Sequence, residues 1–287
     1  MPPFTSYFHL GLIGYPLGYS LSPKIHSAAL QACGLEGDYS LFPIHPDDKQ
    51  ALQDLLTRVR SGEIQGLNVT IPHKQNVMRF LDELTSTAKS IGAVNTIYLR
   101  DGKLIGDNTD APGFLADLKR FLASSKSPNH QIPKSAIVLG SGGAARAVVY
   151  ALLHGGWEVM IAALVVEQAR ELANLYRDSK LGITDITLSN IELSGVSLIV
   201  NTTPVGMMPD VDNSPWPANV AFPHAAIYNV VYNPRETRLV KDAWSQGLAA
   251  RTGLGMLIEQ AALAFEIWTG HKPPREVMFA AADQPAH

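Results

Sequence analysis

Lys74 ends a polar segment that follows an apolar strand, and it is the residue to which we assign proton transfer. The segment runs from Asn68 to Lys74, and in α/β folds ligands bind beyond the carboxyl ends of such strands. An ammonium group there can donate to a carbonyl oxygen, stabilise the negative charge that develops on it, and deliver the proton that completes an alcohol. If no other polar residues accompanied it, Lys74 would instead be interpreted as a solvated lysine on the surface.

Asn95 and Asp110 supply those neighbours, each at the boundary of a predicted extended element. Asn95 lies in the motif GAVNT and Asp110 ends the motif GDNTD. Asp110 has an alternative role as a helix cap, and Asn95 as a partner of local backbone groups. Together with Lys74 they predict a site in which Asp110 orients the ammonium while Asn95 and Thr70 hydrogen-bond the hydroxyls of a compact polyol.

Two serines, Ser20 and Ser22, follow the first predicted strand and precede Pro23. Their hydroxyls suit a substrate carboxylate, and Pro23 is compatible with the first turn of a helix. Capping of that helix is the alternative role for Ser22. The segment Gly18 to Ser22 is similar to a nucleophile elbow, but the second glycine of G-x-S-x-G is missing, which excludes a hydrolase.

The segment Gly140 to Arg146 has the pattern GxGGAxR between the strand-like run Ala136 to Leu139 and a predicted helix. Glycines let the backbone approach a pyrophosphate, and the N–H groups and dipole of a helix N-terminus favour its negative charge. We predict dinucleotide binding, with a tight structural turn as the alternative. The following segment, Val159 to Leu164, offers neither an acid for a ribose 2′-hydroxyl nor a cation for a 2′-phosphate, which leaves cofactor choice open.

Composition limits the classes of function. The 287 residues, 46% hydrophobic and 17% charged, predict a globular protein of two domains. A net charge of −3 provides no footprint for nucleic acid or for an anionic membrane surface, which favours a small-molecule substrate. The single cysteine, Cys33, lacks disulfide and metal-ligand partners, which predicts a reducing compartment and no metal site. Without a signal-peptide pattern or a spanning apolar run, we expect a cytoplasmic protein, either monomeric or homodimeric.

Strand-like and helical runs alternate along the chain, which predicts an α/β fold built from two successive units. The predicted elements of the first unit are Tyr7 to Ile13, Pro23 to Cys33, Tyr39 to Ile44, Pro46 to Arg60, Gly66 to Val69, Asn95 to Leu99 and Lys103 to Ile105. Asp101-Gly102 predicts a hairpin turn between the last two. The predicted elements after it are Asp110 to Leu122, a loop from Ala123 to Lys134, Ser135 to Leu139, Gly142 to His154, Trp157 to Ile161, Glu167 to Arg177, Val196 to Val200, Ala226 to Val231 and Leu254 to Trp268.

The ordered set of motifs resembles the shikimate/quinate dehydrogenase family. The set comprises GxPxxxSxSP, NVTxPxK, GAVNT, GxNTD, GxGGAxR and a terminal GxGMLxxQ, and it extends along nearly the entire chain. The resemblance implies an N-terminal α/β substrate domain at residues 1–109, to which C-terminal helices at 254–287 return. It also implies a Rossmann-like dinucleotide-binding domain at residues 110–253.

The activity implied by the resemblance is the reversible reduction of 3-dehydroshikimate to shikimate in aromatic amino acid biosynthesis, usually with NADPH. Lys74 and Asp110 would be the catalytic pair. The residues that would bind substrate are Ser20 and Ser22 on its carboxylate, Asn68, Thr70, Asn95 and Gln260 on its ring substituents, and Tyr232 closing the pocket. The residues that would bind the cofactor are Gly140, Gly142, Gly143 and Ala144 at the pyrophosphate, Thr202 and Thr203 close by, and Val230 and Gly253 bordering the nicotinamide.

The chain departs from the family pattern in three places. Ala163 to Val165 replace the Asn-Arg-Thr common in members that use NADP, Asn229 replaces an Asp, and Ser27 replaces a frequent Asn. NAD is therefore an alternative to NADP. The departures leave two other interpretations: a quinate/shikimate or aminoshikimate dehydrogenase with altered cofactor preference, and a catalytically weak ligand-binding paralogue. Because Lys74 and Asp110 are present, we favour the enzyme.

Overall fold

The chain forms two compact units. The computed structural model describes residues 7–124, 134–176, 181–185, 188 and 192–283. Unit 1 comprises Met1–Thr109 and Ile258–His287, and unit 2 comprises Asp110–Leu257. The chain leaves unit 2 inside the helix Leu254–Thr269, four residues after its start, whereas the sequence predicts the boundary at Leu254.

Unit 1 is built on a mixed six-stranded sheet. Its strands are β1 (Phe8–Gly14), β2 (Gly37–Pro43), β3 (Gly66–Val69), β4 (Glu83–Leu84), β5 (Thr96–Arg100) and β6 (Lys103–Asp107). The order is β2-β1-β3-β5-β6-β4, with β1 parallel to β2 and β3, and β5 antiparallel to β3 and β6. The helices are α1 (Ser22–Ala32), α2 (Lys49–Arg60), α3 (His73–Asn76), α4 (Ser86–Ile91), α9 (Leu254–Thr269) and α10 (Arg275–Asp283). Only the part of α9 from Ile258 onward belongs to unit 1.

Local chemistry explains where these elements begin and end. The predicted hairpin is confirmed, since Asp101 and Gly102 take φ values of 52° and 74° between β5 and β6. The predicted helix start at Pro46 is wrong, because the Asp48 side chain accepts from the Ala51 N–H and caps α2 there. Gly92, at φ 69°, ends α4.

Unit 2 is a fully parallel six-stranded sheet. Its strands are β7 (Ser135–Leu139), β8 (Glu158–Ala163), β9 (Leu181–Asp185), β10 (Leu198–Asn201), β11 (Ala226–Asn229) and β12 (Ala250–Thr252). Its helices are α5 (Asp110–Ser124), α6 (Gly143–His154), α7 (Val166–Ala173) and α8 (Arg238–Ser245). The strand order β12-β11-β10-β7-β8-β9 is that of a Rossmann fold. The predicted α/β fold with a Rossmann-like unit is thereby confirmed.

Several short elements are absent from the sequence prediction. They are β4, β9, β12, α3, α4, α8 and α10, most of them too short for a period of two or 3.6 residues to stand out. The predicted helix from Glu167 ends as α7 at Ala173 and continues as a 3₁₀ turn, Asn174–Tyr176. Arg177 and most of the predicted loop after Ala123 lie outside the described residues, while Ala123 and Ser124 belong to α5.

Each unit has its own apolar core. In unit 1 the face of α2 that carries Leu52, Leu55 and Val59 packs on Ile13 and Leu67 of the sheet. Burial of each leucine contributes roughly 1.5–3 kcal/mol. In unit 2 the central strands bury an equivalent apolar face, which holds the carboxyl ends of β7 and β10 side by side. Within the described ranges no helix has the length and apolar character to span a membrane.

Candidate active site

Ser20 and Ser22 lie in unit 1 beyond the carboxyl end of β1. Ser22 is the first residue of α1, and its side chain does not cap the helix, because Leu21 occupies the N-cap position. Ser20 Oγ instead accepts from the Ser22 backbone N–H at 3.2 Å. The capping role considered for Ser22 is therefore wrong. Ser27, one of the departures from the family pattern, is exposed on α1.

Asn68, at the end of β3, is buried and bonded on both sides of its amide. Its Oδ1 accepts from Tyr39 Oη on β2 at 2.8 Å, and its Nδ2 donates to the Asn95 carbonyl oxygen at 3.2 Å. Asn68 thus connects strand β2 to the segment that precedes β5.

The Asn95 side chain brings three motifs together. Its Nδ2 donates to Thr109 Oγ1 at 2.9 Å and to Gln260 Oε1 at 3.1 Å, while its Oδ1 accepts from the Thr109 N–H at 2.7 Å. These residues come from GAVNT, GxNTD and GxGMLxxQ, and Asn95 is 2% exposed. Both Thr109 and Gln260 are distant in sequence, so Asn95 does not serve merely local backbone groups.

Lys74 is the second residue of the single-turn helix α3 and is half-buried. Its carbonyl oxygen accepts from the Val94 N–H at 2.8 Å, which fixes α3 beside the segment that carries Asn95. Thr70, four residues earlier, is held by its N–H, which donates to the Ile13 carbonyl oxygen at 2.8 Å. Lys74, Thr70 and Asn95 therefore share one end of the unit 1 sheet.

Asp110 is the first residue of α5 and the first residue of unit 2, and it is 4% exposed. A carboxylate at that position is favoured by the helix dipole. Asp110 follows Thr109 directly, and Asn95 fixes Thr109 in unit 1. The chain therefore enters α5 from an anchored residue.

His26 is a fully buried support of Asn68 that the sequence prediction missed. Its ring stacks on Tyr39, with centroids 4.3 Å apart and an interplanar angle of 6°. Burial lowers the pKa of His26 to about 3, an effect that the nearby Asn68 side chain partly offsets. Neither ring nitrogen achieves hydrogen-bond geometry. The three residues come from separate elements, so no spacing in the sequence signals the group.

The glycine loop of unit 2 has the shape required for a pyrophosphate. Gly140 follows β7 with a φ of 107°, and a Cβ there would lie 2.9 Å from Thr202 Oγ1 and 3.0 Å from Thr203 Cγ2. Gly142 is the N-cap of α6, and no atom lies within 4 Å of the place that its Cβ would take. Gly143 and Ala144 form the start of α6. The open space at this helix N-terminus fits a bound phosphate group.

Thr202 and Thr203 follow β10, at the point where the strand order of the sheet reverses. Thr202 Oγ1 donates to the Leu139 carbonyl oxygen at 2.6 Å, and Thr203 Oγ1 donates to Asn201 Oδ1 at 2.7 Å. The Thr202 hydroxyl therefore links the end of β10 to the last residue of β7, directly before the glycine loop, and the Thr203 hydroxyl fixes the loop after β10 to Asn201. Ligands of α/β sheets bind at this reversal.

Asn229 supports the adjoining loop. Its Oδ1 accepts from Asn201 Nδ2 at 2.9 Å and from the Val231 N–H at 3.0 Å, while its Nδ2 donates to Thr237 Oγ1 at 2.7 Å. An aspartate could accept the first two bonds, but a carboxylate could not donate the third. Asn229 is thus a satisfied buried amide at a position where the family commonly has Asp.

Val230, Tyr232 and Gly253 lie together beyond β11 and β12. The Gly253 N–H donates to the Val231 carbonyl oxygen at 3.1 Å, and a Cβ at Gly253 would overlap the Val230 carbonyl. Only glycine permits this close approach. Tyr232 is half-buried in the same loop.

The two residues that follow β8, where a Rossmann fold reads the adenosine ribose, are apolar and exposed. Leu164 is 85% exposed and Val165 is 46% exposed. The Ser141 hydroxyl of the glycine loop donates to Gln168 Oε1 at 3.3 Å. Because positions 163–165 are Ala, Leu and Val, they offer no cation to a 2′-phosphate. Across the ranges described for this chain, no cluster of His, Cys, Asp and Glu is arranged to bind a metal ion.

Comparison with known proteins identifies relatives that match most of the chain. Residues 12–97 match the model of the shikimate dehydrogenase substrate binding domain, and residues 253–282 match the shikimate 5′-dehydrogenase C-terminal domain. The shikimate dehydrogenase (NADP(+)) of Desulforamulus reducens is 41% identical over 279 residues, covering 93% of this chain and 92% of the relative.

Two solved structures are similar in fold and sequence. The shikimate 5-dehydrogenase from Thermus thermophilus, in complex with NADP(H) and shikimate, is 38% identical with a TM-score of 0.81 and covers 96% of this chain and 98% of that one. The quinate dehydrogenase from Corynebacterium glutamicum, in complex with NAD, is 31% identical with a TM-score of 0.83 and covers 96% and 99%.

The depressed pKa of His26 predicts a pH-dependent stability. The imidazole has an ordinary pKa of 6.5 in the unfolded chain and about 3 in the folded chain, so only the unfolded chain takes up this proton between those values. The free energy of unfolding should therefore fall as the pH falls through this window. We expect His26→Phe, which keeps a stacking ring, to show a smaller fall between about pH 7 and about pH 4.5 in urea unfolding. The exposed residue His271 provides the control: His271→Gln should follow the wild type, and an equally steep fall in His26→Phe would refute the assignment.

Proposed function

The chain belongs to the shikimate dehydrogenase family, and we propose that it catalyses the reversible nicotinamide-dependent reduction of 3-dehydroshikimate to shikimate. The observation that carries this proposal is the buried Asn95 cluster, in which hydrogen bonds join Asn95, Thr109 and Gln260 from three of the family's motifs. A biosynthetic reaction of this kind and the free thiol of Cys33 support a cytoplasmic location.

Unit 1 binds the substrate in this proposal. The hydroxyls of Ser20 and Ser22 hold the substrate carboxylate beyond β1, where two short polar side chains provide donors without bulk. The residues that hydrogen-bond the ring hydroxyls and carbonyl are Asn68, Thr70, Asn95 and Gln260, with Tyr232 at the edge of the pocket. Hydrogen bonds within the protein fix the amides of Asn68 and Asn95, so their positions are set before the ring binds.

Lys74 is the proton donor for the carbonyl oxygen. As the carbonyl carbon becomes tetrahedral, the electron pair of the C=O π bond moves to oxygen, where the Lys74 ammonium stabilises the charge and transfers a proton. Lys74 then recovers a proton from solvent, and the reverse reaction uses the neutral amine as base. In this proposal the Asp110 carboxylate orients the ammonium toward the carbonyl oxygen.

Unit 2 holds the dinucleotide. Gly140, Gly142, Gly143 and Ala144 form the phosphate cradle, and Thr202 and Thr203 line the neighbouring strand end. Val230 and Gly253 border the nicotinamide ring. When bound in its reduced form, the nicotinamide supplies the hydride that the ketone carbon accepts.

The shikimate dehydrogenase (NADP(+)) of Desulforamulus reducens and the NADP(H) complex of the Thermus thermophilus enzyme make NADP the expected cofactor. Leu164, however, offers no group that would select NADP over NAD. A ribose 2′-phosphate needs a cationic or multiple-donor partner, and an exposed leucine is neither. NAD use, and with it activity on quinate, is the second candidate that this residue favours.

Lys74→Ala tests the proton donor. We expect the variant to keep its fold and its affinity for shikimate but to lose at least about 100-fold in kcat, because general acid catalysis contributes roughly 10²–10⁴-fold. Steady-state kinetics and shikimate binding by calorimetry measure the two effects. Lys89→Ala, at an exposed lysine of α4, is the matched control and should retain wild-type turnover. Near-normal turnover of Lys74→Ala would contradict the assignment.

The activity itself is tested by crossing two substrates with two cofactors. Oxidation of shikimate and of quinate is measured with NAD and with NADP, and the four values of kcat/KM are compared. We expect shikimate to be the better substrate with both cofactors. Higher kcat/KM for quinate would establish the second candidate, and no turnover in all four combinations would support a ligand-binding paralogue.

Leu164→Arg tests how the adenosine end selects the cofactor. A guanidinium at this position adds a bidentate phosphate donor, so we expect the ratio of NADP to NAD affinity to rise by about tenfold, since hydrogen bonds to charged groups contribute roughly 1.5–3 kcal/mol. Equilibrium fluorescence titration measures both affinities without turnover. Leu175→Arg, at another exposed apolar position of unit 2, controls for added charge. An unchanged ratio in Leu164→Arg would show that position 164 does not face the ribose.

A further inference from the structure

A buried carboxylate, Asp117 of α5, joins four elements of unit 2. Asp117 is 1% exposed. Its Oδ2 accepts from Tyr228 Oη at 2.7 Å, and its Oδ1 accepts from Arg251 Nη1 at 2.9 Å. A Cβ at Gly255 would overlap the same carboxylate. Helix α5, strands β11 and β12, and the first turn of α9 therefore meet at one charged group.

The contacts hold a single face of α5. Tyr228 is fully buried, and burial together with the Asp117 carboxylate raises its pKa well above the usual value, so its hydroxyl remains a donor. The Arg251 guanidinium also lies over the Phe121 ring, 5.3 Å from its centroid. Arg120, three residues further along α5, also contacts Asp117 Oδ1, at 3.1 Å.

Each joined element leads directly to a residue with a role in the proposed reaction. Asp110 lies seven residues before Asp117, two helical turns away on the same face of α5, at a distance of roughly 10 Å along the axis. Val230 follows the last residue of β11, two positions after Tyr228, and Gly253 lies two positions after Arg251. A rotation of α5 about Asp117 would shift Asp110 relative to Val230 and Gly253.

We propose that Asp117 is a positioning residue for hydride transfer, because it fixes the helix that begins with Asp110 against the two segments that border the nicotinamide. The inference rests on the proposed function. Asp117 touches neither substrate nor cofactor and acts only through Asp110, Val230 and Gly253. A misplacement of about 1 Å in reacting groups can cost on the order of 100-fold in rate.

Asp117→Asn provides the test, since the amide keeps the shape of the side chain but presents an N–H group to Arg251. We expect kcat for 3-dehydroshikimate reduction to fall by roughly 10- to 100-fold. The KM for substrate and the dinucleotide affinity, measured by fluorescence titration, should stay at wild-type values. The primary deuterium isotope effect from deuterated nicotinamide should rise, because hydride transfer becomes slower than product release. A residue with only a structural role would not raise the isotope effect.

Arg120→Ala is the matched control, since it removes another charged partner of the same carboxylate and leaves the Tyr228 and Arg251 side chains in place, and it should keep wild-type kcat. If Asp117→Asn does not fold, Tyr228→Phe replaces it and should show the same pattern. Wild-type kcat in Asp117→Asn, or a loss of kcat that parallels a loss of dinucleotide affinity, would overturn the positioning role. Wild-type enzyme without turnover would instead overturn the proposed function, and the inference with it.

Discussion

The buried side-chain amide of Asn95 is the interaction on which the substrate unit depends. An amide that is shielded from water must find its partners inside the protein, or its desolvation destabilises the fold. Here Thr109 and Gln260 provide those partners, although they lie 14 and 165 residues away in sequence. Satisfying one polar group therefore fixes Thr109, the residue before α5, and Gln260 of α9 to the same amide.

Close approach of backbones plays the corresponding part in unit 2. Gly140 and Gly253 stand where a side chain would collide with Thr202 or with the Val230 carbonyl, so each loop can reach its neighbour only through glycine. The amides of Asn201 and Asn229 then link the ends of β10 and β11. This arrangement keeps the phosphate cradle and the loop after β11 in a fixed relation, which the proposed transfer of a hydride requires.

The three departures from the family pattern have different physical consequences. The change to Asn229 leaves no polar atom of its amide unsatisfied, because the amide accepts from Asn201 and Val231 and donates to Thr237. Ser27 is exposed on α1, and nothing in the structure explains the choice of serine. Leu164 is exposed just after β8, so it contributes little to the core of unit 2, and the effect proposed for it is on cofactor choice.

The sequence by itself determined the two-unit α/β organisation, the Asp101-Gly102 turn, the long helices and the motif residues, because these depend on local periodicity and on backbone preferences of single residues. It missed short elements such as α8 and β12, whose few residues carry little periodic signal. Tertiary structure alone decided that His26 stacks beneath Tyr39, that Asn95 reaches Gln260, and that Asp117 meets Tyr228 and Arg251. Such contacts join residues from separate elements, and only the packing of those elements brings their polar groups within bonding distance.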